Sequence, residues 1–171
     1  MAAHANGYTV AMAAVMEGHL ADLDAWDPAG CSIARTLDVI GTRSAILILR
    51  EAYYGARRFD SFTGRVGITD AAAAKQLRKL TEAGLLERRP YQESGQRTRH
   101  EYVLTQKGLD LLPAVVALWQ WGDTYLQPGP APLLRFDTRT GEPIRAELRA
   151  ADGAEVDIDH LGIRTNDESA G

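Results

Sequence analysis

Cysteine occurs once in this 171-residue chain, at Cys31. That excludes an intramolecular disulfide and any zinc cluster built on several cysteines. Long apolar runs are missing as well: Asp, Glu, Arg or Gly interrupts every candidate, so no transmembrane helix and no membrane partner is expected. The first residues lack a basic stretch followed by an apolar signal core, so export is not expected and the chain reads as cytoplasmic. The histidines, His4, His19, His100 and His160, are scattered, with no Cys/His pair or carboxylate pair in a motif around them. No P-loop, GxGxxG, metal-spaced cluster or internal repeat is found. The expectation is no catalytic residue, no cofactor and no metal: not an enzyme.

What is present is ordinary globular material with uneven charge. Apolar content of 45% and charged content of 25% suit a soluble domain with a real core. A net charge of −4 argues against nucleic acid as a partner until it is mapped along the chain. Between Arg57 and Lys107, eleven Lys/Arg stand against six Asp/Glu, a balance of +5 that leaves −9 for the remainder. Such a segment is either a nucleic-acid footprint or a solvated face of mixed charge.

Its local pattern favours the footprint. Thr69 or Asp70 caps a helix that runs through Ala71–Ala74 and stops at Gly84, with Leu77 and Leu80 on one face. Lys75, Arg78 and Lys79 lie opposite, with Gln76 between them. Leu85–Tyr91 and Arg99–Leu104 read as two strands around the turn-rich Glu93-Ser94-Gly95-Gln96. Before them, Ser32–Ile40 and about 43–54 read as core helices separated by Gly41. Arg58-Phe59 suits a short strand bridging to the hairpin, and a short helix from Asp60 or Ser61 to about Arg65 precedes a turn at Val66-Gly67. This is the plan of a winged helix-turn-helix that reads double-stranded DNA. The helix enters the major groove with Thr69, Asp70, Ala71, Ala74, Lys75, Gln76, Arg78 and Lys79, and the hairpin brings Gln96, Arg97 and Arg99 to the backbone or minor groove.

Flanking elements complete the expectation. Tyr8–Trp26 carries Met12, Val15, Met16, His19, Leu20 and Leu23 in an approximate helical stripe. After the wing, Thr105 caps a long helix with apolar positions to Leu126, kinked at Pro113. It holds more apolar surface than one small domain covers, so Leu112, Val116, Trp119 and Tyr125 are expected at a homodimer interface, the alternative being packing within one chain. Beyond Pro128–Pro132, turns at Thr140-Gly141 and Asp152-Gly153 separate three short strands, Leu133–Thr138, Pro143–Leu148 and Glu155–Ile158. The fold class is mainly α with small β: a winged helix-turn-helix with an N-terminal helix, a long C-terminal dimerisation helix and a short β-meander extension. Residues 1–30 are expected as a helical extension, 31–126 as the DNA-binding and dimerisation domain, 127–162 as the β extension and 163–171 as a disordered tail.

An ordered set of segments also carries a family resemblance. Cys31 at a helix start, Thr36–Gly41, Ile48–Glu51, Arg58-Phe59, Leu77–Leu80, Ala83–Leu85 and Tyr102–Gly108, extended by Leu112-Pro113 and Trp121-Gly122, together resemble the HxlR-type winged-helix transcriptional regulators. The resemblance spans about Cys31–Tyr125 and implies a dimeric bacterial regulator on a palindromic operator, commonly a repressor. Two features depart from the pattern: Ser44 stands where relatives usually have Trp, and Ala71–Ala74 replace the bulkier first turn of the reading helix. Few base contacts are then expected, with DNA shape contributing more of the selectivity. In several relatives a cysteine at the position of Cys31 senses oxidants or electrophiles, and a helix N-terminus favours thiolate; the alternative is a packed thiol. A second effector reading is a small-molecule pocket among Trp26, Tyr53, Tyr54, Trp119, Trp121 and Tyr125. The competing function class is a winged-helix protein-interaction module without specific DNA binding.

Overall fold

The computed structural model describes residues 14–22, 30–92, 94–95 and 97–166. In chain order the elements are β1 (Val15–Met16), α1 (Ser32–Ile40), α2 (Arg43–Tyr53), α3 (Phe59–Val66), α4 (Asp70–Glu82), β2 (Leu86–Tyr91), β3 (Arg99–Leu104), α5 (Gln106–Asp110), α6 (Leu112–Tyr125) and β4 (Gly162–Ile163), with single turns of 3-10 helix at Gly18–Ala21 and Ile158–His160. They fall into two compact units, residues 31–146 and residues 1–30 with 147–171.

The larger unit is a winged helix-turn-helix. Its core is Ile48 and Leu49 from α2, Phe62 and Val66 from α3, Leu77 and Leu80 from α4, and Leu85 and Leu86 at the start of the hairpin, all buried. Each such side chain contributes about 1.5–3 kcal/mol on burial, before the entropy of ordering it is subtracted. The turn between α3 and α4 depends on Gly67, whose φ of 68° is left-handed; its N–H and that of Ile68 both donate to the Thr63 carbonyl. Strands β2 and β3 pair antiparallel from Leu86↔Leu104 to Tyr91↔Arg99. Arg58 bridges to Glu101, and the Tyr102 N–H donates to the Arg57 carbonyl at 2.8 Å, so the short strand expected at Arg58-Phe59 is reduced to a single bridge at Arg58, with Phe59 opening α3.

The long kinked helix is instead two helices. Thr105 does cap the first, accepting from the Gly108 N–H at 3.1 Å, but α5 ends at Asp110 and α6 restarts at Leu112. Pro113 sits in the first turn of α6, where its missing N–H has no partner to lose, so it begins a helix instead of bending one. Gly108 is required by close approach: a Cβ there would run into the Leu85 carbonyl. After α6 the chain returns along it. Gln120 hydrogen-bonds the Ala146 N–H at 3.1 Å, and Arg135 pairs with Asp123 at 2.5 Å. The expected strands in this return are single bridges, Phe136↔Pro143 here and Arg149↔Glu155 in the smaller unit, around left-handed Gly141 and Gly153.

In the smaller unit the helix expected over Tyr8–Trp26 is not formed by its described part. Val15–Met16 is a strand paired parallel with Gly162–Ile163, and only Gly18–Ala21 is helical, in one 3-10 turn. Leu20 is buried and His19 exposed, so the apolar stripe does not form as a face. Ile163, placed in a disordered tail by the sequence pattern, lies in that strand pair; what the sequence pattern implies for 1–13, 23–29 and 167–171 lies outside the described residues.

Candidate nucleic-acid interface

Helix α4 is divided cleanly into two faces. Thr69 is its N-cap, the side chain accepting from the Ala72 N–H at 3.3 Å, and Asp70 stands in the first turn, where the helix dipole favours an acid. Ala73, Gln76, Leu77 and Leu80 are buried. Ala71, Ala74, Lys75 and Arg78, at the i, i+3, i+4, i+7 spacing of one stripe, are exposed, as are Thr69 and Asp70. Arg78 reaches Glu82 only at 3.9 Å, and both are open to solvent, so it is held weakly.

Two of the residues expected to read DNA are committed elsewhere. Gln76 is buried, and its amide donates to the Thr42 hydroxyl and to Ser44 Oγ (3.1 Å), both at the start of α2. It fixes α4 to α2 and is withdrawn from the DNA-contact set. The Lys79 ammonium donates to the Asp38 carbonyl in the last turn of α1, and so ties α1 to α4.

On the wing, Arg97 and Arg99 are exposed, while Gln96 lies outside the described residues. Arg89 pairs with Glu87 at 2.8 Å; that hydrogen bond holds the Glu87 carboxyl below its usual range and raises Arg89. One basic feature was not visible in the sequence. Between the start of α3 and the wing lies a hollow of about 470 Å³ lined by Arg58, Asp60, Arg88, Tyr91, Arg99 and His100. Arg58 stacks over the Tyr91 ring at 4.9 Å, and Arg88 Nη2 meets His100 Nδ1 at 2.9 Å. Residues about thirty or more apart in sequence make this hollow, brought together by the Arg58–Glu101 bridge, the Tyr102–Arg57 backbone hydrogen bond and the Arg58–Tyr91 stack.

Behind α4, α2 and α3 are joined by a buried acid. Glu51 accepts from Arg50 at 2.5 Å and from Arg65 Nε. Burial pushes its carboxyl up, but the hydrogen bonds from Arg65 and Arg50 outweigh this and hold it below the usual range.

The other expected sites distribute as follows. Cys31 is the N-cap of α1, partly exposed, without a side-chain cap bond. On α6, Leu112 and Tyr125 are exposed, but Val116 is buried within its own chain and is withdrawn from the dimer set. Trp119 is half-buried against Tyr54 and Arg135. Other exposed apolar residues, beyond those expected at the dimer interface, are Leu118 at 57% and Trp121 at 56% on α6, with Ile33 and Leu37 on α1. Of the expected effector-pocket residues, Trp119 and Tyr54 line one cavity. Tyr53 does not: its phenol donates to the Gly108 carbonyl at 2.6 Å, fastening α2 to α5. Trp121 faces solvent against Tyr125, and Trp26 lies outside the described residues. In the smaller unit the side chains of Asp157, Asp159 and His160 converge within 4.8 Å, all exposed, as solvated acidic groups commonly do. Among the described residues no helix is long and apolar enough to cross a membrane.

Comparison with known proteins agrees with this architecture. The family model described as HxlR-like helix-turn-helix matches residues 39–130. An HTH-type transcriptional regulator of Mycobacterium tuberculosis, Rv3095, is 46% identical over 111 residues, covering 64% of this chain and 69% of its own. The crystal structure of the transcription factor PA1607 superposes with a TM-score of 0.72 at 33% identity, over 81% of this chain and 96% of that one. The redox regulator HypR in its reduced form gives a TM-score of 0.50 at 30% identity, over 56% of this chain and 93% of that one. With the family match covering more than half its length, on the residues that build the helix-turn-helix and the wing, the chain belongs to the HxlR-like helix-turn-helix family of transcriptional regulators.

Proposed function

We propose that this chain regulates transcription by binding a palindromic operator as a homodimer, most simply as a repressor. The observation that carries the reading is the exposed stripe Ala71, Ala74, Lys75 and Arg78, small or basic and unpacked on a helix whose opposite face is buried. Thr69 and Asp70 flank it at the N-terminal end that enters a major groove. The alanine methyls suit thymine contacts, and Lys75 and Arg78 supply phosphate or guanine contacts. Arg97, Arg99 and the hollow at Arg58, Arg88 and His100 provide the backbone grip on the wing side. The exposed apolar residues of α6 and α1 supply the dimer contact that a two-fold operator requires.

The test is fluorescence anisotropy with DNA from upstream of the gene, at two salt concentrations, with random DNA as competitor. Binding that survives competitor and weakens with salt is expected, and Lys75→Ala with Arg78→Ala reduces it at least tenfold. Unchanged binding in that double variant sinks the site assignment; binding equal to random DNA favours a protein-interaction module.

Cys31 is proposed as a redox input to the same activity. Its partial exposure at a helix N-cap supports this, as does the likeness to HypR, which is named a redox regulator. Cys31→Ser is expected to keep DNA binding and lose any response to diamide. A variant that responds as the wild type does refutes the sensor role.

A further inference from the structure

A cavity of about 390 Å³ opens between α2, α6 and the segment returning along α6, within the size range of small-molecule sites. Its walls are largely hydrocarbon, from Ile46, Val115, Leu118 and Leu133. Two rings stand in it: Tyr54 at the end of α2 and Trp119 on α6, their centroids 5.6 Å apart and their planes at 56°. Around them are three guanidinium groups, Arg50, Arg65 and Arg135, and two carboxylates, Glu51 and Asp123. Arg50 and Arg65 share Glu51, and Arg135 is spent on Asp123 while lying 4.4 Å over Trp119. One positive charge is left over. Arg135 Nη1 is buried without a partner among the described residues. On the other side, Arg50 lines the cavity with Nε and Nη2 committed to Glu51 and Nη1 without a hydrogen-bond partner among the described residues.

We propose that this cavity binds a small organic monoanion with a flat apolar body, an aromatic carboxylate. The carboxylate accepts from Arg50 Nη1 and the Tyr54 hydroxyl, and the ring lies against Trp119, Leu118 and Leu133. Burial raises the Tyr54 phenol above its ordinary value, which keeps it a protonated donor at neutral pH. The same helix carries the consequence to the reading face. At its N-terminus Thr42 and Ser44 hold Gln76 of α4, and in its last turn Glu51 holds Arg65 of α3. A ligand fastened to Arg50 and Tyr54 therefore acts on the helix that positions α4. This consequence rests on the proposed DNA-binding function; the binding itself does not.

The experiment is isothermal titration of the full chain with 2-naphthoate, and with 2-naphthamide as the uncharged control. Saturable binding of the acid, at least tenfold tighter than the amide, is expected. Arg50→Gln weakens it tenfold or more. So does Leu133→Glu, which puts a repelling charge on the exposed rim and leaves the Glu51 cluster intact; thermal melts confirm that both variants fold. Equal affinity for acid and amide, unchanged affinity in either folded variant, or no saturable binding overturns the assignment. Operator-DNA anisotropy with and without 2-naphthoate forms a separate arm. Acid binding in a chain that ignores DNA refutes the proposed function and leaves this site standing; operator binding with no acid binding does the reverse.

Discussion

Helices α4 and α6 are of similar length, Asp70–Glu82 and Leu112–Tyr125, and both lie in the same compact unit, yet they leave opposite kinds of surface exposed. On α4, Ala73, Leu77 and Leu80 are consumed by the core, and what remains outside is Ala71, Ala74, Lys75 and Arg78. On α6 only Val115 and Val116 are buried, while Leu118, Trp121 and Tyr125 are left in solvent. A helix whose apolar face is satisfied at home presents its polar face to a hydrated or charged partner. A helix apolar on nearly all sides still has area to bury, at roughly 25 cal/mol per Å². The first suits nucleic acid and the second suits protein.

That contrast breaks most visibly at α6. Leu118→Glu with Trp121→Glu is expected to convert the chain to monomers by sedimentation velocity, without lowering the melting temperature of the monomer, since neither side chain is in the core. A variant that remains dimeric moves the interface elsewhere. A smaller effect is expected at the Glu51 cluster behind α4. Glu51 is held below its unfolded value, so its contribution to stability is complete above the ordinary carboxylate range and is lost as pH falls through the depressed folded value. Urea melts from pH 7 to 3 are expected to show this loss, and Glu51→Gln to flatten that part of the profile; an unchanged profile means that other carboxylates dominate. The smallest effect separates structure from reading on α4 itself. Gln76→Ala is expected to reduce stability by about 1–2 kcal/mol, because Thr42 and Ser44 lose their partner. Operator affinity per folded molecule should stay unchanged, and a selective loss of affinity would return Gln76 to the DNA interface.

Much of the exposed face of α4 was legible from sequence because the helix obeys local rules. Thr69 caps it, four alanines promote it, and apolar residues at helical spacing show which face turns inward. Gln76 was expected outside, as a polar side chain on a helix flank usually is, but it is buried against partners that lie more than thirty residues upstream. Ser44 is one of them, so the residue that departs from the family pattern is engaged by Gln76 here. The expected N-terminal helix failed for a related reason. Its residues have helical propensity, but Val15 and Met16 instead pair with Gly162 and Ile163 from the far end of the chain, and long-range pairing overrides a weak local preference. Proline at 113 was read as an interior kink because pattern alone does not show that the helix restarts at Leu112.

The amino-acid sequence by itself determined the helix-turn-helix and the wing. Caps, left-handed glycines and apolar periodicity are local signals that act within a few residues of where they are written. Tertiary structure decided which exposed groups stay uncommitted. Lys75 and Arg97 carry no fixed partner among the described residues, Gln76 is bound inward, Lys79 is bonded across the surface to α1, and Tyr54 rather than Tyr53 meets Trp119. The physical reason is that hydrogen bonds and burial are settled by neighbours in space, and a side chain's availability to a ligand is what those neighbours leave over.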